Sequence, residues 1–261
     1  MYKSVALCLF CGLSIPAQAI ELDIQADAVR WQYQEFAKDA SITAAQASFL
    51  PSKATGSAAL LQLQLTTDRD SDWFAGILAT YMDSTADATE SWSIKQTNDL
   101  KVRQLDVRLD VQKEVMRHGR LGLWLSQRKQ EQSRKNFIVN GAVVTVAGEP
   151  VVESITSRWV GVSFVGTGGN VQQLEARLDV GMPLQVDVTN PLFAAPFSKK
   201  TGYQTGVHFR WHIPKSEVGV SGLNLTLDYQ YQELGGETLA DGSFWPYNRW
   251  QTLGFGVLYA W

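Results

Sequence analysis

The stretch Trp250-Gln-Thr-Leu-Gly-Phe-Gly-Val-Leu-Tyr-Ala-Trp261 ends the chain and decides its fold. Large apolar or aromatic side chains alternate there with smaller ones, and the large ones are Leu253, Phe255, Val257, Tyr259 and Trp261. Because successive side chains of a strand point to opposite faces, this pattern predicts a strand with one wholly apolar face. Such a strand left unpaired in water would template aggregation, whereas it is the ordinary closing element of a barrel in lipid.

Nine earlier windows of the sequence alternate in the same way, so we expect ten strands. They run to about residue 36, over about 57–66, 72–82, 100–112, 119–130 and 154–165, from about 171, and over about 201–213 and 219–232. In the first window, Leu22 and Ile24 have the opposite phase to Val29, Trp31 and Tyr33. We interpret this slip near Ala28 as a bulge or as the true start of the strand.

The connections between these windows alternate in length. Those after the second, fourth, sixth and eighth strands are short: Thr67–Ser71, Lys113–His118, Gly166–Asn170 and Pro214–Val218. Those after the odd-numbered strands are longer, about fifteen to twenty residues each. An even strand number with alternating connections is typical of a membrane barrel with tight turns on one side and larger loops on the other. In the loop after the fifth strand, Asn140-Gly141 predicts a protruding hairpin.

Residues 1–19 have the three parts of a secretory signal peptide. Lys3 precedes the apolar run from Ser4 to Ile15, and Pro16-Ala-Gln-Ala19 supplies a small-x-small cleavage site. The run is far shorter than the roughly 20 apolar residues that a transmembrane helix needs. We therefore expect one domain, residues 20–261, without cysteine, because Cys8 and Cys11 leave with the signal peptide.

These features together resemble the class of bacterial outer-membrane β-barrel proteins. The resemblance implies an all-β, antiparallel up-and-down transmembrane barrel of about 10 strands, with short periplasmic turns, long extracellular loops and periplasmic termini. It implies a Gram-negative outer-membrane location and assembly by periplasmic chaperones and the barrel-insertion machinery. The partners it implies are outer-membrane lipids and lipopolysaccharide, and we take a monomer as the default. With 23 basic against 26 acidic residues, the composition gives no reason to expect nucleic acid.

Aromatic residues at the strand ends predict two girdles at the membrane interfaces. The spacing from Trp73 to Tyr81 and from Tyr203 to Trp211 is about 26 Å along a strand, or about 20 Å once the strand is tilted. That length approximates the apolar band of an outer-membrane barrel. We assign Trp73, Trp211, Tyr259 and Trp261 to the periplasmic girdle and Trp31, Tyr33, Tyr81, Tyr203, Tyr229 and Tyr231 to the external girdle.

The opposite faces of several strands are polar and predict a network inside the barrel. Charges removed from water must be paired, so acidic and basic side chains should meet there. The predicted members are Asp106, Arg108, Asp110, Arg128, Glu175, Arg177, Asp179, His208, Arg210, His212 and Asp228. Eight strands are just filled by side chains, and ten are much nearer that limit than the sixteen of an open porin. We therefore favour an ionic plug over a narrow or gated ion path.

The sequence offers no catalytic residue, cofactor site or metal site. Ten-stranded outer-membrane barrels include the omptin proteases, which this chain resembles in size and strand number. Omptins carry Asp-Asp and Asp-His pairs at the external rim, whereas the predicted topology places His118, His208 and His212 in a periplasmic turn or lower in the barrel. No motif matches the lipid A deacylases or acyltransferases either. Outward cations at strand ends, which could pair with lipopolysaccharide phosphates or simply be solvated, are Lys101, Arg103 and Arg249.

The sequence thus predicts an integral outer-membrane barrel with a structural or surface-interaction role. A narrow or gated, porin-like channel for ions or small solutes is the alternative. A hydrolase at the rim, acting on lipid or peptide, is the third candidate.

Overall fold

The computed structural model describes residues 20–36, 52–67, 73–91, 96–168, 174–191, 193, 195–239 and 244–261. Its strands, in chain order, are β1 (Ile20–Phe36), β2 (Ser52–Thr67), β3 (Trp73–Ser91), β4 (Gln96–Met116), β5 (Gly119–Val139), β6 (Ala142–Val144), β7 (Val151–Gly168), β8 (Leu174–Thr189), β9 (Phe197–Lys199), β10 (Gly202–His212), β11 (Leu223–Leu234), β12 (Glu237–Thr238), β13 (Phe244–Trp245) and β14 (Tyr247–Ala260). A single turn of helix, α1 (Lys215–Val218), lies between β10 and β11. No helix in the described part is long and apolar enough to cross a membrane.

Ten long strands form a closed antiparallel barrel, as the sequence predicts. β1 pairs with β2 on one side and with β14 on the other, from Asp23↔Ala260 to Phe36↔Tyr247. The order around the wall is β1, β2, β3, β4, β5, β7, β8, β10, β11 and β14. We call the end of the barrel that carries Ile20 and Ala260 the proximal end, and the opposite end the distal end.

The strands run further toward the distal end than the sequence predicts. β3 continues to Ser91 and β4 begins at Gln96, so only residues 92–95 separate them. The predicted long loop after the third strand is therefore wrong, because strand pairing continues through most of that segment. At the proximal end, residues 213–222 with α1 exceed the predicted tight turn after the eighth strand. The predicted signal peptide and residues 37–51 of the first long loop lie outside the described residues.

The two faces of the wall exchange polarity about halfway along the barrel. In the proximal half the outward side chains are apolar, such as Leu63 and Leu123, and most of the inward ones are polar. In the distal half the outward side chains are polar or charged, such as Arg103 and Lys129, and the inward ones include large apolar groups. Only a change of solvent outside the wall, from lipid to water, makes both halves favourable in one continuous sheet.

This exchange corrects the prediction for β1. The strand is regular through Ala28, pairing residue by residue with β2 and β14, so the predicted bulge or late start is wrong. Asp23 and Asp27 point inward in the proximal half, and Trp31 and Tyr33 continue the same inward phase. The assignment of Trp31 and Tyr33 to the external girdle is therefore wrong. Their side chains fill the distal lumen, where an apolar group leaves water by pointing inward.

Two apolar clusters occupy the inside of the distal half. The first apolar cluster contains Trp31, Tyr33, Ala54, Met82, Leu100, Val102 and Trp250. The second apolar cluster contains Trp124, Ile155, Trp159, Val186, Val188, Leu234 and Trp245. The Trp31 and Trp250 rings stack with centroids 4.9 Å apart, and the two residues are 1% and 3% exposed. The distal half thus has the apolar core of a barrel that stands in water.

Candidate functional site: the filled lumen

Two arginines and two aspartates form a closed ring of ion pairs across the lumen, which we call the ionic layer. The Arg108 guanidinium donates to both oxygens of Asp110 at 2.7 and 3.0 Å and to both oxygens of Asp179 at 2.8 and 3.0 Å. Arg177 donates to Asp110 at 2.7 Å and to Asp179 at 2.9 Å. β4 and β8, which carry these residues, are not neighbours in the sheet, so the layer spans the barrel interior.

A second group of polar side chains extends this layer toward β1. The His208 ring lies between two carboxylates, with Nδ1 2.7 Å from Asp228 and Nε2 3.3 Å from Asp179. The Gln25 amide donates to Asp228 at 2.6 Å and to Asp27 at 2.7 Å. The polar contacts thus run continuously from β4 through β8, β10 and β11 to β1.

The remaining predicted network members lie above and below this level. Arg128 donates to Asp106 at 2.7 Å and also contacts Gln232 and Gln230 of β11. Arg210 donates to Asp23 at 3.2 Å. Two members stand apart: Glu175 lines a proximal cavity, and His212 is exposed at the proximal end of β10.

A flat indole joins the ionic layer to the second apolar cluster. The Arg108 guanidinium lies over the Trp124 ring, 4.4 Å from its centroid, and the indole N–H donates to the Val162 carbonyl at 3.1 Å. The ring lies across Gly161 and Gly181, where a Cβ would overlap it. Glycine is required at these two positions because only a bare backbone allows so close an approach.

A cavity of about 90 Å³ lies within the proximal half of the lumen. Its lining includes Gln64, Phe74 and Gln112 near the proximal end and Arg108 and Asp179 of the ionic layer. The cavity is large enough for a few water molecules and meets the polar side of the layer.

A cluster of three charged residues, of which Glu153 is buried and Glu35 and Arg134 are half-buried, lies in the distal half, beyond the lipid-facing band. Arg134 donates to Glu35 at 2.6 Å, and Ser52 and Tyr33 donate to the same carboxylate at 2.8 and 2.9 Å. Burial raises the pKa of Glu35, but the charge and hydrogen bond of Arg134 and the hydroxyl donors outweigh it. The pKa of Glu35 therefore lies below its usual value.

Glu153 belongs to the same cluster but has a different set of neighbours. Its carboxylate accepts hydrogen bonds from Asn190 at 2.9 Å and from the Trp245 indole at 3.0 Å. Burial raises the pKa of Glu153, and the negative charge of Glu35 raises it further. The two donors and the more distant Arg134 offset only part of this, so the pKa stays above its usual value.

The structure places most of the predicted girdle residues on the outer wall. Trp73, Trp211, Tyr259 and Trp261 are exposed at the proximal end, while Tyr81, Tyr203 and Tyr229 are exposed near the middle of the wall and Tyr231 is half-buried beside them. The predicted outward cations are all paired with carboxylates. Lys101 and Arg103 both contact Asp83, at 3.2 and 3.1 Å, and Arg249 contacts Glu233 at 3.3 Å.

Comparison with known proteins identifies the architecture. No protein-family model and no curated protein matches the sequence. Among solved structures, the outer-membrane protease OmpT of Escherichia coli is 9% identical, with 95% of this chain and 98% of that chain covered and a TM-score of 0.51. The chain has the fold of a bacterial outer-membrane β-barrel. The translocator domain of the autotransporter NalP of Neisseria meningitidis is 10% identical over 91% of this chain and 88% of that chain, with a TM-score of 0.45.

Within the part of the chain that the structure describes, the barrel shows no group of side chains that could hold a metal ion. The described residues contain no group of three or more His, Cys, Asp or Glu side chains with suitable geometry. His118 lies in the turn between β4 and β5 at the proximal end, and His208 and His212 lie in the proximal half. The distal charge cluster contacts both apolar clusters, because Tyr33 donates to Glu35 and Trp245 donates to Glu153.

Sequence reasoning missed the β1 part of the network and the distal charge cluster. Asp23, Gln25 and Asp27 alternate as Asp106, Arg108 and Asp110 do, so the polar phase of β1 was a readable signal. Glu35, Arg134 and Glu153 fall beyond the predicted strand ends or at their edges, where inward and outward phases were not assigned. The inward direction of these three side chains depends on the strands continuing into water, which the alternation pattern does not indicate.

Proposed function

We propose that the protein is a non-conducting outer-membrane barrel whose distal half is a rigid platform for interactions at the cell surface. The observation that carries the proposal is the filled lumen. An ion entering from the proximal end meets the ionic layer, where four charges are already paired. Beyond that layer it would have to pass two clusters of apolar side chains, which costs several kcal/mol at least.

The proposed orientation puts the proximal end in the periplasm and the distal end outside the cell. The polarity exchange supports it, because the proximal half carries the apolar outer surface and the distal half the charged one. The outward ion pairs of Asp83 with Lys101 and Arg103 hold two cations on one carboxylate. The surplus positive charge is suited to a lipopolysaccharide phosphate at the outer leaflet.

A narrow channel is the second candidate, because the proximal cavity reaches the ionic layer. Conduction would require the ionic layer and the second apolar cluster to open at the same time. A hydrolase at the rim has less support, because a general base must be within hydrogen-bond reach of its substrate. Protein groups already bond the carboxylates of Glu35, which is half-buried, and of Glu153, which is buried.

Conductance of the refolded protein in a planar bilayer tests this proposal. We expect no discrete openings at about pH 7 or about pH 5, a range over which histidine charge changes. The variant Trp31→Ala with Trp250→Ala, which removes two stacked indoles from the first apolar cluster, is the control for increased leak. Circular dichroism verifies that both proteins are folded. Discrete wild-type openings that change in His208→Ala or Arg210→Ala would establish a channel instead.

A further inference from the structure

The distal tip of β5 carries a hairpin that extends the barrel wall beyond the last pair of β5 with β7, Arg134↔Val151. Asn140 and Gly141 form its two-residue turn with φ angles of 50° and 83°, as the Asn-Gly pair predicts. β6 returns along β5 in the register Phe137↔Val144, Ile138↔Val143 and Val139↔Ala142. β6 pairs with β5 alone among the described strands, so its other side is an edge.

The backbone of Val143 points toward that free edge. In a two-residue hairpin, the pair next to the turn, Val139 and Ala142, exchanges both hydrogen bonds. The next pair, Ile138 and Val143, is therefore non-hydrogen-bonded, and the N–H and C=O of Val143 face away from β5. The Val143 side chain is 82% exposed.

This edge lacks the charges that normally protect an exposed strand. Residues 136–148 contain no Asp, Glu, Lys or Arg. Natural edge strands are protected by lysine, by proline, by a bulge or by short length, because an uncharged β-branched edge recruits another strand. Of these devices β6 has only the short length, three residues. The nearest acidic residue, Glu149, is exposed but bonded to the hairpin itself: its carboxylate accepts from the backbone N–H of Val146 at 3.1 Å and of Asn136 at 3.4 Å. It orders the hairpin and leaves the edge uncovered.

We propose that β6 is a self-association edge, to which β6 of a second copy of this chain adds as an antiparallel strand. The inference deepens the proposed surface-interaction function, on which it rests, by naming the partner. When the pairing is centred on Val143, the Val143 N–H of each copy donates to the Val143 C=O of the other copy, as a two-fold interface requires. The Ile138 and Val143 side chains of both copies then form one apolar stripe of four residues.

The lack of charged residues around β6 favours a second copy of β6 over a partner segment that carries charges. The chain as a whole has a net charge of −3, which opposes contact between copies through most surfaces. In the proposed pairing, the segment 136–148 of one copy meets the same segment of the other, and neither segment carries a charge. Because β6 continues the wall of the barrel, antiparallel pairing relates the copies by an axis perpendicular to the strand. That geometry suits copies in two facing membranes rather than neighbours in one membrane.

Aggregation of lipid vesicles that carry the refolded protein tests the inference. We expect wild-type vesicles to aggregate, seen as increased light scattering, and Val143→Lys vesicles to stay dispersed, because a lysine on the edge blocks strand addition. The matched control is Val152→Lys: Val152 is exposed but lies in the wall, paired with Ser133. That variant should aggregate as the wild type does.

Disulfide formation gives a second measurement, since no cysteine occurs after Cys11. Oxidised Val143→Cys should link two copies, and Val152→Cys should not. Dispersed wild-type vesicles, or aggregation unchanged in Val143→Lys, would overturn self-association. Linkage within single vesicles without aggregation would contradict the facing-membrane geometry. Both results are independent of conductance, so this inference can fail while the non-conducting barrel stands.

Discussion

Glu35 is half-buried and Glu153 is buried in the distal half of the lumen, and their neighbours shift the pKa values of the two carboxyl groups in opposite directions. Glu35 has a cationic partner, Arg134, and its pKa is lowered although burial acts against this. Glu153 receives only neutral donors directly and lies near the charge of Glu35, so burial dominates and its pKa is raised. The ion pair with Arg134 therefore stabilises the ionised form of Glu35, whereas burial destabilises the ionised form of Glu153.

This contrast predicts different effects of the same substitution. Glu35→Gln leaves the half-buried Arg134 without its charged partner and should lower the free energy of unfolding by about 1–3 kcal/mol. Glu153→Gln removes a charge that burial disfavours and should change it by less than about 1 kcal/mol. Denaturant unfolding of both variants in the same detergent, at neutral pH, measures the difference. Equal losses would show that the two carboxylates have the same role.

The pH dependence follows from the directions of the two shifts. A lowered folded-state pKa means that the contribution of Glu35 is present above its usual pKa and is lost as the pH falls through the folded-state value. A raised one means that the contribution of Glu153 is fullest below its usual pKa and declines as the pH rises through the folded-state value. The free energy of unfolding should be measured from about pH 3 to about pH 7. In Glu35→Gln its fall toward low pH should be smaller than in the wild type, and in Glu153→Gln its fall toward high pH should be smaller.

At the scale of elements, β7 and β8 are shaped by a side chain from β5. The Trp124 indole lies flat across Gly161 and Gly181, so two strands omit their side chains to accommodate one ring. The ring in turn supports the Arg108 guanidinium. Packing and the ionic layer are thus coupled through one residue.

Gly161→Ala tests this coupling, and the same strand offers a control. Its Cβ would overlap the Trp124 ring and the Val180 carbonyl oxygen, so we expect a loss of about 1–3 kcal/mol. Gly168→Ala adds a Cβ that meets nothing within 4 Å and should be neutral. Denaturant unfolding measures both, and near-ultraviolet circular dichroism should change only for Gly161→Ala. Similar stabilities for the two variants would contradict close packing at Gly161.

Strand number and barrel closure could be predicted from the sequence, because alternation with period two is a local signal. The lumenal residues of β4, β8 and β10 could be predicted for the same reason. The inward direction of Trp31 and Tyr33 in β1 could not be predicted from the expectation that large apolar side chains of a membrane barrel point outward. That expectation holds only where the wall faces lipid, and Trp31 and Tyr33 lie where the wall faces water. The distal strand extensions were missed because their outer faces are polar and read as loops.

At the scale of the whole molecule, one continuous sheet serves two solvents. The proximal half is inverted, with an apolar outside and an ionic inside, and the distal half has a charged outside and an apolar inside. β5 crosses both zones: its outward residues are Leu121, Leu123 and Leu125, followed by Gln127, Lys129, Glu131 and Ser133. The outward side chains of β5 thus change from apolar to polar between Leu125 and Gln127, and this change marks the level of the membrane surface.

Spin labels along the outer face of β5 test this exchange most directly. Single cysteines replace Leu121, Leu123, Leu125, Gln127, Lys129, Glu131 and Ser133 in turn, and collision rates with oxygen and with a water-soluble nickel complex are measured in lipid bilayers. We expect oxygen to dominate at positions 121–125 and the nickel complex to dominate from position 129 onward. Oxygen dominance through position 133, or nickel access at position 123, would contradict a barrel that leaves the membrane halfway along its length.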